Sequence, residues 1–242
     1  MFNVFTNTPF WSTKVVMRKL FLLVFVGTLS VLMVSESRAQ VIPEILTRIE
    51  GHNKALQSVK ADIRMAKVES LLSDTSTQSG TITYLPKTAS RPMYARLDWQ
   101  KPREEYLSIS GDAFEMYSPT RNLVYWGKTD KAAGNEKAGS LLSILNMSRA
   151  DLKANFQVTY LGQESISGSI SVWHLQLNPK AAVSYKFAEI WVDSNGMVVQ
   201  STIVEKNNDS TTINLSAIKK NQTIKTIVFK LDYPKTAQKQ RV

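Results

Sequence analysis

Across residues 80–128 the chain reads GTITYLPKTASRPMYARLDWQKPREEYLSISGDAFEMYSPTRNLVYWGK, and apolar residues alternate with polar ones in four or five short runs. A period of two sends successive side chains to opposite faces of a strand, so each run has one hidden and one wet side. In residues 94–99, Ala95, Leu97 and Trp99 fall on one side and Tyr94, Arg96 and Asp98 on the other. Pro, Gly, Asp or Ser-Pro interrupts each run, which is the punctuation of an antiparallel meander. The hidden side is large and greasy, with Trp99, Phe114, Met116 and Trp126 on it. Some other part of the chain must cover it.

The flanking segments supply candidates. Ile42, Ile45, Leu46 and Ile49 recur at helix spacing, and Pro43 suits a first turn, so a helix is expected over 43–57. Val59, Ala61, Ile63 and Met65 then alternate with charged residues as a strand, and 74–78 reads as a polar turn. Residues 129–139 read as a loop. Leu141, Leu142, Ile144, Leu145 and Met147 predict a short helix that is apolar nearly all round and must itself be covered. A capping box at Ser148 and Asp151 starts another helix. Further strands are expected over 156–163, 172–178, 187–193, 197–206, 211–219 and 224–233, with the Asn195-Gly196 dipeptide marking a hairpin. The sum is an α+β chain, mostly β: about eleven strands in one curved antiparallel sheet, two or three helices, and a frayed tail from Lys235.

Lys14, Arg18 and Lys19 precede the uncharged run 20–34, and Ser37-Arg38-Ala39 offers small residues where a signal peptidase reads. Residues 1–39 are therefore expected to be a signal peptide cleaved near Ala39, with Met17 as an alternative start, and 40–242 to be a single domain. The run is short for a membrane span. Net charge is +10, and +7 from residue 40 onward once four basic residues and one acid are set aside. Basic residues mix with acids except for Lys219, Lys220, Lys225, Lys230, Lys235, Lys239 and Arg241 near the end. Those form either a solvated surface or a patch that lingers near anionic headgroups. With no cysteine, an exported chain depends on its core alone, and a lipid-modified N-terminal cysteine is excluded.

Catalytic chemistry finds no footing in the sequence. The two histidines, His52 and His174, stand apart and read as surface residues, and no zinc set can be assembled. Asp193-x-Asn195-Gly196 brushes a calcium loop, but Val204 stands where the bidentate Glu belongs. Glu104 and Glu105 are adjacent and would point to opposite faces. Nucleic-acid binding is disfavoured by the export signal and the interleaved acids. No cofactor, no metal and no enzymatic activity are expected. What remains is an apolar face beneath short helices. It is either a hollow or a tight core of Trp99, Phe114, Met116, Trp126, Leu141 and Leu145, and the residues alone leave both open.

A resemblance bears on that choice. Arg91-Pro92 with Trp99 and Pro102 downstream, Gly111-Asp112 before Phe114-Glu115-Met116-Tyr117-Ser118-Pro119, Leu177-Asn178-Pro179-Lys180, residues 190–196 and the closing Phe229-Lys230-Leu231-Asp232-Tyr233-Pro234 together resemble the periplasmic lipoprotein carriers of the LolA family. The resemblance implies an incomplete, half β-barrel capped by helices, with an apolar cavity for the acyl chains of a lipoprotein. It implies a monomeric periplasmic chaperone that takes lipoproteins from an inner-membrane ABC transporter and hands them to an outer-membrane acceptor. It also implies that Arg91 locks the lid helices in the closed, empty form. The lid loop departs from the family pattern, with Gly139-Ser140 where a proline is usual. By alternation the cavity wall is expected from Ala95, Leu97, Trp99, Leu107, Ile109, Phe114, Met116, Val124 and Trp126, with Ile190 and Val192 opposite and Leu141, Ile144 and Leu145 as lid. A slip of one residue would invert a strand's set. A binding module for another lipid or hydrophobic ligand is the alternative, and a filled structural domain the third reading.

Overall fold

The structure is a computed structural model that describes residues 36–129, 148–166, 168 and 170–242. The expected lid helix with Leu141, Ile144 and Leu145 lies outside the described residues. The chain divides into two compact units, Met1–Val41 and Ile42–Val242, and the sheet and its packing belong to the second.

Among the described residues twelve strands form one sheet: β1 (Val59–Glu69), β2 (Asp74–Leu85), β3 (Tyr94–Lys101), β4 (Glu105–Ser110), β5 (Ala113–Ser118), β6 (Leu123–Lys128), β7 (Phe156–Ile166), β8 (Ile170–Pro179), β9 (Tyr185–Asp193), β10 (Val198–Glu205), β11 (Ser210–Lys220) and β12 (Gln238–Arg241). Their order is β12-β6-β5-β4-β3-β2-β1-β11-β10-β9-β8-β7. Two meanders meet where β1 pairs with both β2 and β11. Every pairing is antiparallel except that of β12 on β6. The sheet stays open, with β12 and β7 as its edges. Register shifts interrupt it beside Asp62, Gly80, Gly162, Gln200 and Glu205, and such bulges bend a strand and increase its twist.

Helix α1 (Glu36–Ala55) runs through Pro43, which forgoes one backbone bond, rather than starting there as expected. It presents Ile45, Leu46 and Ile49 as a buried stripe. Helix α2 (Arg149–Asn155) begins at the expected box: Ser148 Oγ accepts from the Asp151 amide at 3.1 Å, and the Asp151 carboxylate accepts from the Ser148 amide at 3.2 Å. Arg149 reaches from α2 to Thr47 Oγ1 on α1, 2.8 Å away.

Three expectations are corrected. The turn expected at 74–78 lies at 70–73, because the polar residues from Asp74 pair with β1 in register, Asp74 opposite Glu69. The strand expected over 224–233 is a 3-10 turn, Thr226–Phe229, followed by extended chain. Its alternation is real, but Phe229 and Leu231 are buried against the back of the sheet rather than in a ladder. Ser108 Oγ donates to the Phe229 carbonyl, and Arg96 Nη1 donates to the Val228 carbonyl at 2.7 Å. The tail expected to fray instead forms β12, held by the Gln238 amide on the Asn122 carbonyl and the Val242 amide on the Trp126 carbonyl, both 3.0 Å.

Candidate functional site

The register assigns faces. Ala95, Leu97 and Trp99 on β3 stand opposite Ile109, Leu107 and Glu105 on β4, and Leu107 and Ile109 stand opposite Met116 and Phe114 on β5. On the other side of β3, Leu97 and Ala95 pair with Ile82 and Tyr84, which pair in turn with Ala61 and Val59. Ile63 and Met65 then meet Leu215 and Ile213 on β11, and Ile213 meets Ser201 on β10. Ser201 meets Ile190 on β9, and Ile190 meets Leu175 on β8. One face of the sheet is therefore an apolar floor from β5 to β8, and nearly all of these side chains are buried. Most of them join in a single hydrophobic cluster, to which Leu56, just beyond α1, adds.

The floor brings together Ala95, Leu97, Trp99, Leu107, Ile109, Phe114 and Met116 from the expected wall. Ile190 shares their face, and Val192, two residues on, pairs with Val198 and Trp173 at the far end. Val124 and Trp126 do not belong. Val124 faces Tyr117 and packs with Leu231 on the back of the sheet, and Trp126 is 39% exposed with the Arg241 guanidinium 5.2 Å from its ring centre. The register of β6 on β5 sets Tyr125 opposite Met116 and Gly127 opposite Phe114, so Tyr125 takes the floor position. Both faces of β6 meet apolar neighbours, so its alternation carries no sign of which side is which. The floor also contains Val59, Ala61, Ile63 and Met65, whose clean alternation was visible in the sequence but was not assigned to the wall.

Helix α1 lies over the β8–β9 end. Arg48 Nη1 donates to the Ser194 carbonyl at 3.1 Å, and the Arg48 guanidinium sits 5.3 Å from the Trp173 ring centre. Beneath it Gly196 closes the expected hairpin, where Asp193 Oδ1 accepts from the Asn195 and Met197 amides at 2.9 and 2.8 Å. His52 on the same helix is half buried, and burial, with Lys220 adding to it, holds its imidazole below the usual range against a smaller opposing pull from Asp193.

Arg91 is partly buried at the head of β3. Its Nη2 donates to the Pro86 carbonyl at 3.2 Å, and Thr88 and Arg91 form an isolated bridge that fixes the loop. Its Nε is buried without a hydrogen-bond partner among the described residues, an unmet donor at a group that is always charged. His174, expected at the surface, is instead enclosed. Its ring stacks on Trp191 at 4.2 Å, and its Nδ1 is 2.8 Å from Glu164, which also accepts from Trp191 Nε1 at 2.6 Å. Among the described residues no group of three or more His, Cys, Asp or Glu side chains is placed to hold a metal ion.

The family described as "Outer membrane lipoprotein carrier protein LolA" matches residues 71–232, two thirds of the chain. No curated protein matches the sequence. Among solved structures, an uncharacterized conserved protein from Thermus thermophilus has a TM-score of 0.53 at 13% identity, over 84% of this chain and 99% of its own. The protein MucB has a TM-score of 0.55 at 10% identity over 82% of this chain, which spans 64% of MucB. A chain of the Pseudomonas aeruginosa MucA/MucB complex aligns with a TM-score of 0.50 at 10% identity, over 78% of this chain and 60% of its own. At these identities the likeness is one of fold.

Proposed function

This chain belongs to the family of the outer membrane lipoprotein carrier protein LolA, and from that premise we propose that it is a carrier for the acyl chains of lipoproteins. The reading places it in the periplasm after cleavage near Ala39, acting as a monomer. It takes lipoproteins from an inner-membrane transporter and delivers them to an outer-membrane acceptor. The observation that supports it is the apolar floor, one cluster from Phe114 and Met116 through Leu97, Ile82 and Ile63 to Ile213, on a sheet that does not close on itself. A closed barrel would have to fill its interior with side chains or enclose a fixed volume. An open one can admit hydrocarbon and let it go.

Magnitudes constrain the mechanism. A chain of ~16 carbons gains on the order of 12 kcal/mol on leaving water, at ~0.8 kcal/mol per CH₂. A bilayer offers the same gain, so uptake and delivery are nearly balanced and small terms decide direction. Arg91 is suited to supply one such term. A hydrogen bond from its unmet Nε to a closing segment is worth about 1.5–3 kcal/mol, enough to shift the balance between empty-closed and filled-open states by roughly tenfold or more.

Native mass spectrometry of the protein purified from a periplasmic extract tests the proposal. Adducts with the mass of acylated peptides or lipoproteins are expected, and Leu97→Glu should remove them. Adducts of free lipid alone would transfer the floor to another hydrophobic ligand. A bare protein in every preparation would sink the carrier reading.

A further inference from the structure

The back of the sheet carries a second feature that the carrier reading does not use. Between Asp209 and Asp232 the chain has Lys219, Lys220, Lys225 and Lys230 and no acid. The fold draws three of these to one place. Lys219 lies near the end of β11 directly opposite Lys60 on β1, and both are exposed. Like charges facing across a ladder repel and destabilise it, and no ion pair among the described residues offsets the cost. Lys60 pairs on its other side with Thr83, and Thr83 pairs with Arg96, so this row crosses four strands at about 4.8 Å a step. Arg96 holds the Val228 and Lys230 carbonyls at 2.7 and 3.3 Å, which lays the segment 225–230 across the end of the row. The turn thus fixed presents Ile227, 66% exposed, between exposed Lys225 and Lys230. Asn221 and Gln222 are tied to Ser58, so the approach to the turn is fixed too. The opposing charges nearby are Asp98, 2.7 Å from Arg96, Asp62, two residues along β1 from Lys60, and Asp232.

We propose that this turn and its lysines dock the protein, back first, on an anionic bilayer, with Ile227 entering the headgroup boundary and Lys60, Lys219, Lys225 and Lys230 facing lipid phosphates. An apolar side chain flanked by lysines on a rigid turn fits a charged membrane better than a protein pocket, where most of those lysines would have to be desolvated or paired. Among the described residues, the most exposed apolar site is different in kind. Leu71 and Leu72, 93% and 70% exposed at the β1–β2 turn, stand among Glu69, Asp74 and Asp209, which would repel the same headgroups. Docking by the back leaves the apolar floor on the opposite face free. The proposal does not depend on what that floor holds.

Sedimentation of the full chain with sonicated vesicles tests it. Binding is expected to vesicles of phosphatidylethanolamine with about a third phosphatidylglycerol, and to weaken steeply between 0.05 and 1 M salt as the screening length falls to ~3 Å. Each lysine near the surface is worth roughly fivefold, so Lys225→Gln with Lys230→Gln should reduce partitioning ~25-fold, and Ile227→Ser about tenfold. These side chains are exposed, and an unchanged urea midpoint verifies that the variants fold. Leu71→Ser with Leu72→Ser should leave partitioning as it was. Equal binding to pure phosphatidylcholine vesicles, unchanged partitioning in the lysine and Ile227 variants, or loss on changing Leu71 and Leu72 instead would each overturn the proposal. So would equal competition by millimolar glycerol phosphate, which would assign the patch to a free phosphate ester, and so would an absence of vesicle binding, which would leave the patch to a protein partner.

Discussion

Gly196 lies so close beneath Arg48 that a Cβ on it would stand 2.2 Å from the Arg48 carbonyl oxygen. No real side-chain atom tolerates that approach, and the obstacle is helix backbone, which cannot swing aside. Gly196 also has a φ of +83°, where an L side chain is strained. The β9–β10 hairpin and α1 are therefore fitted to each other through one missing methyl group. Gly196→Ala is expected to lower unfolding free energy by at least ~2–3 kcal/mol, the strain of the left-handed backbone alone being of order 1–3. A urea titration that finds Gly196→Ala within ~0.5 kcal/mol of the parent would refute this seating of the helix.

Met116 and Trp126 are near neighbours on adjacent strands but on opposite faces. Met116→Glu places a carboxylate on the apolar floor and should reduce co-purified acyl ligand at least tenfold. Trp126→Glu changes only the back, where the residue is 39% exposed beside Arg241, and should leave the ligand untouched. Loss of ligand in Trp126→Glu with retention in Met116→Glu, read by mass spectrometry, would mean that the faces have been assigned the wrong way round.

The reason this pair had to be settled by structure is physical. Where a strand has one wet face, as in β1 with Lys60, Asp62 and Arg64 exposed, alternation alone gives the buried set, and Val59, Ala61, Ile63 and Met65 all fall inside. In β3 through β5 the other face is covered by residues 228–231, but polar Arg96, Asp98, Ser108 and Glu115 still mark the two sides, so the shared face of Ala95 to Met116 was legible. In β6 the back is apolar too, because Tyr117, Val124 and Leu231 pack there beneath the segment that follows β11. That segment itself alternates like a strand, yet its backbone is held by side chains, Ser108 and Arg96, from 121 and 132 residues earlier. Nothing local in 224–233 distinguishes a ladder from such tethering. The seating of Gly196 under α1 was equally hidden, since the Asn-Gly pair signals a hairpin whatever lies above it.

His52 gives the stability a pH dependence of defined sign. Burial disfavours its charged form, and Lys220 adds to the effect. The folded chain therefore takes up a proton at lower pH than the unfolded chain, whose imidazole titrates near ~6.5. Between those two values the unfolded state binds more protons, so stability falls as pH drops below about 7 and is fully present above it. His52→Gln should flatten that part of the curve and leave the limb below about pH 4.5, set by carboxylates, in place. Parallel unfolding curves for parent and variant at about pH 7.5 and 5.5, on either side of the imidazole range, would show that His52 is not the group responsible.

Arg91 sits in the loop before β3 with one donor used and, among the described residues, one unused. Its Nη2 donor is used on the Pro86 carbonyl, and its buried Nε has no acceptor among the described residues. A buried donor on a permanent cation carries a penalty of about 1–3 kcal/mol or more while unmet, so any segment that supplies an acceptor is favoured by a similar amount. If closing of the empty carrier supplies it, Arg91→Leu removes a term present only in that state, and the filled-open state gains. Uptake of lipoprotein should then proceed at the parental level while release slows about tenfold or more. Arg91→Lys, whose charge is kept but whose forked geometry is lost, should fall between the two. The measurement is transfer of a labelled lipoprotein from the loaded carrier to outer-membrane vesicles, followed in time. Equal release from parent and Arg91→Leu would remove Arg91 from the mechanism and confine it to holding the loop at Pro86.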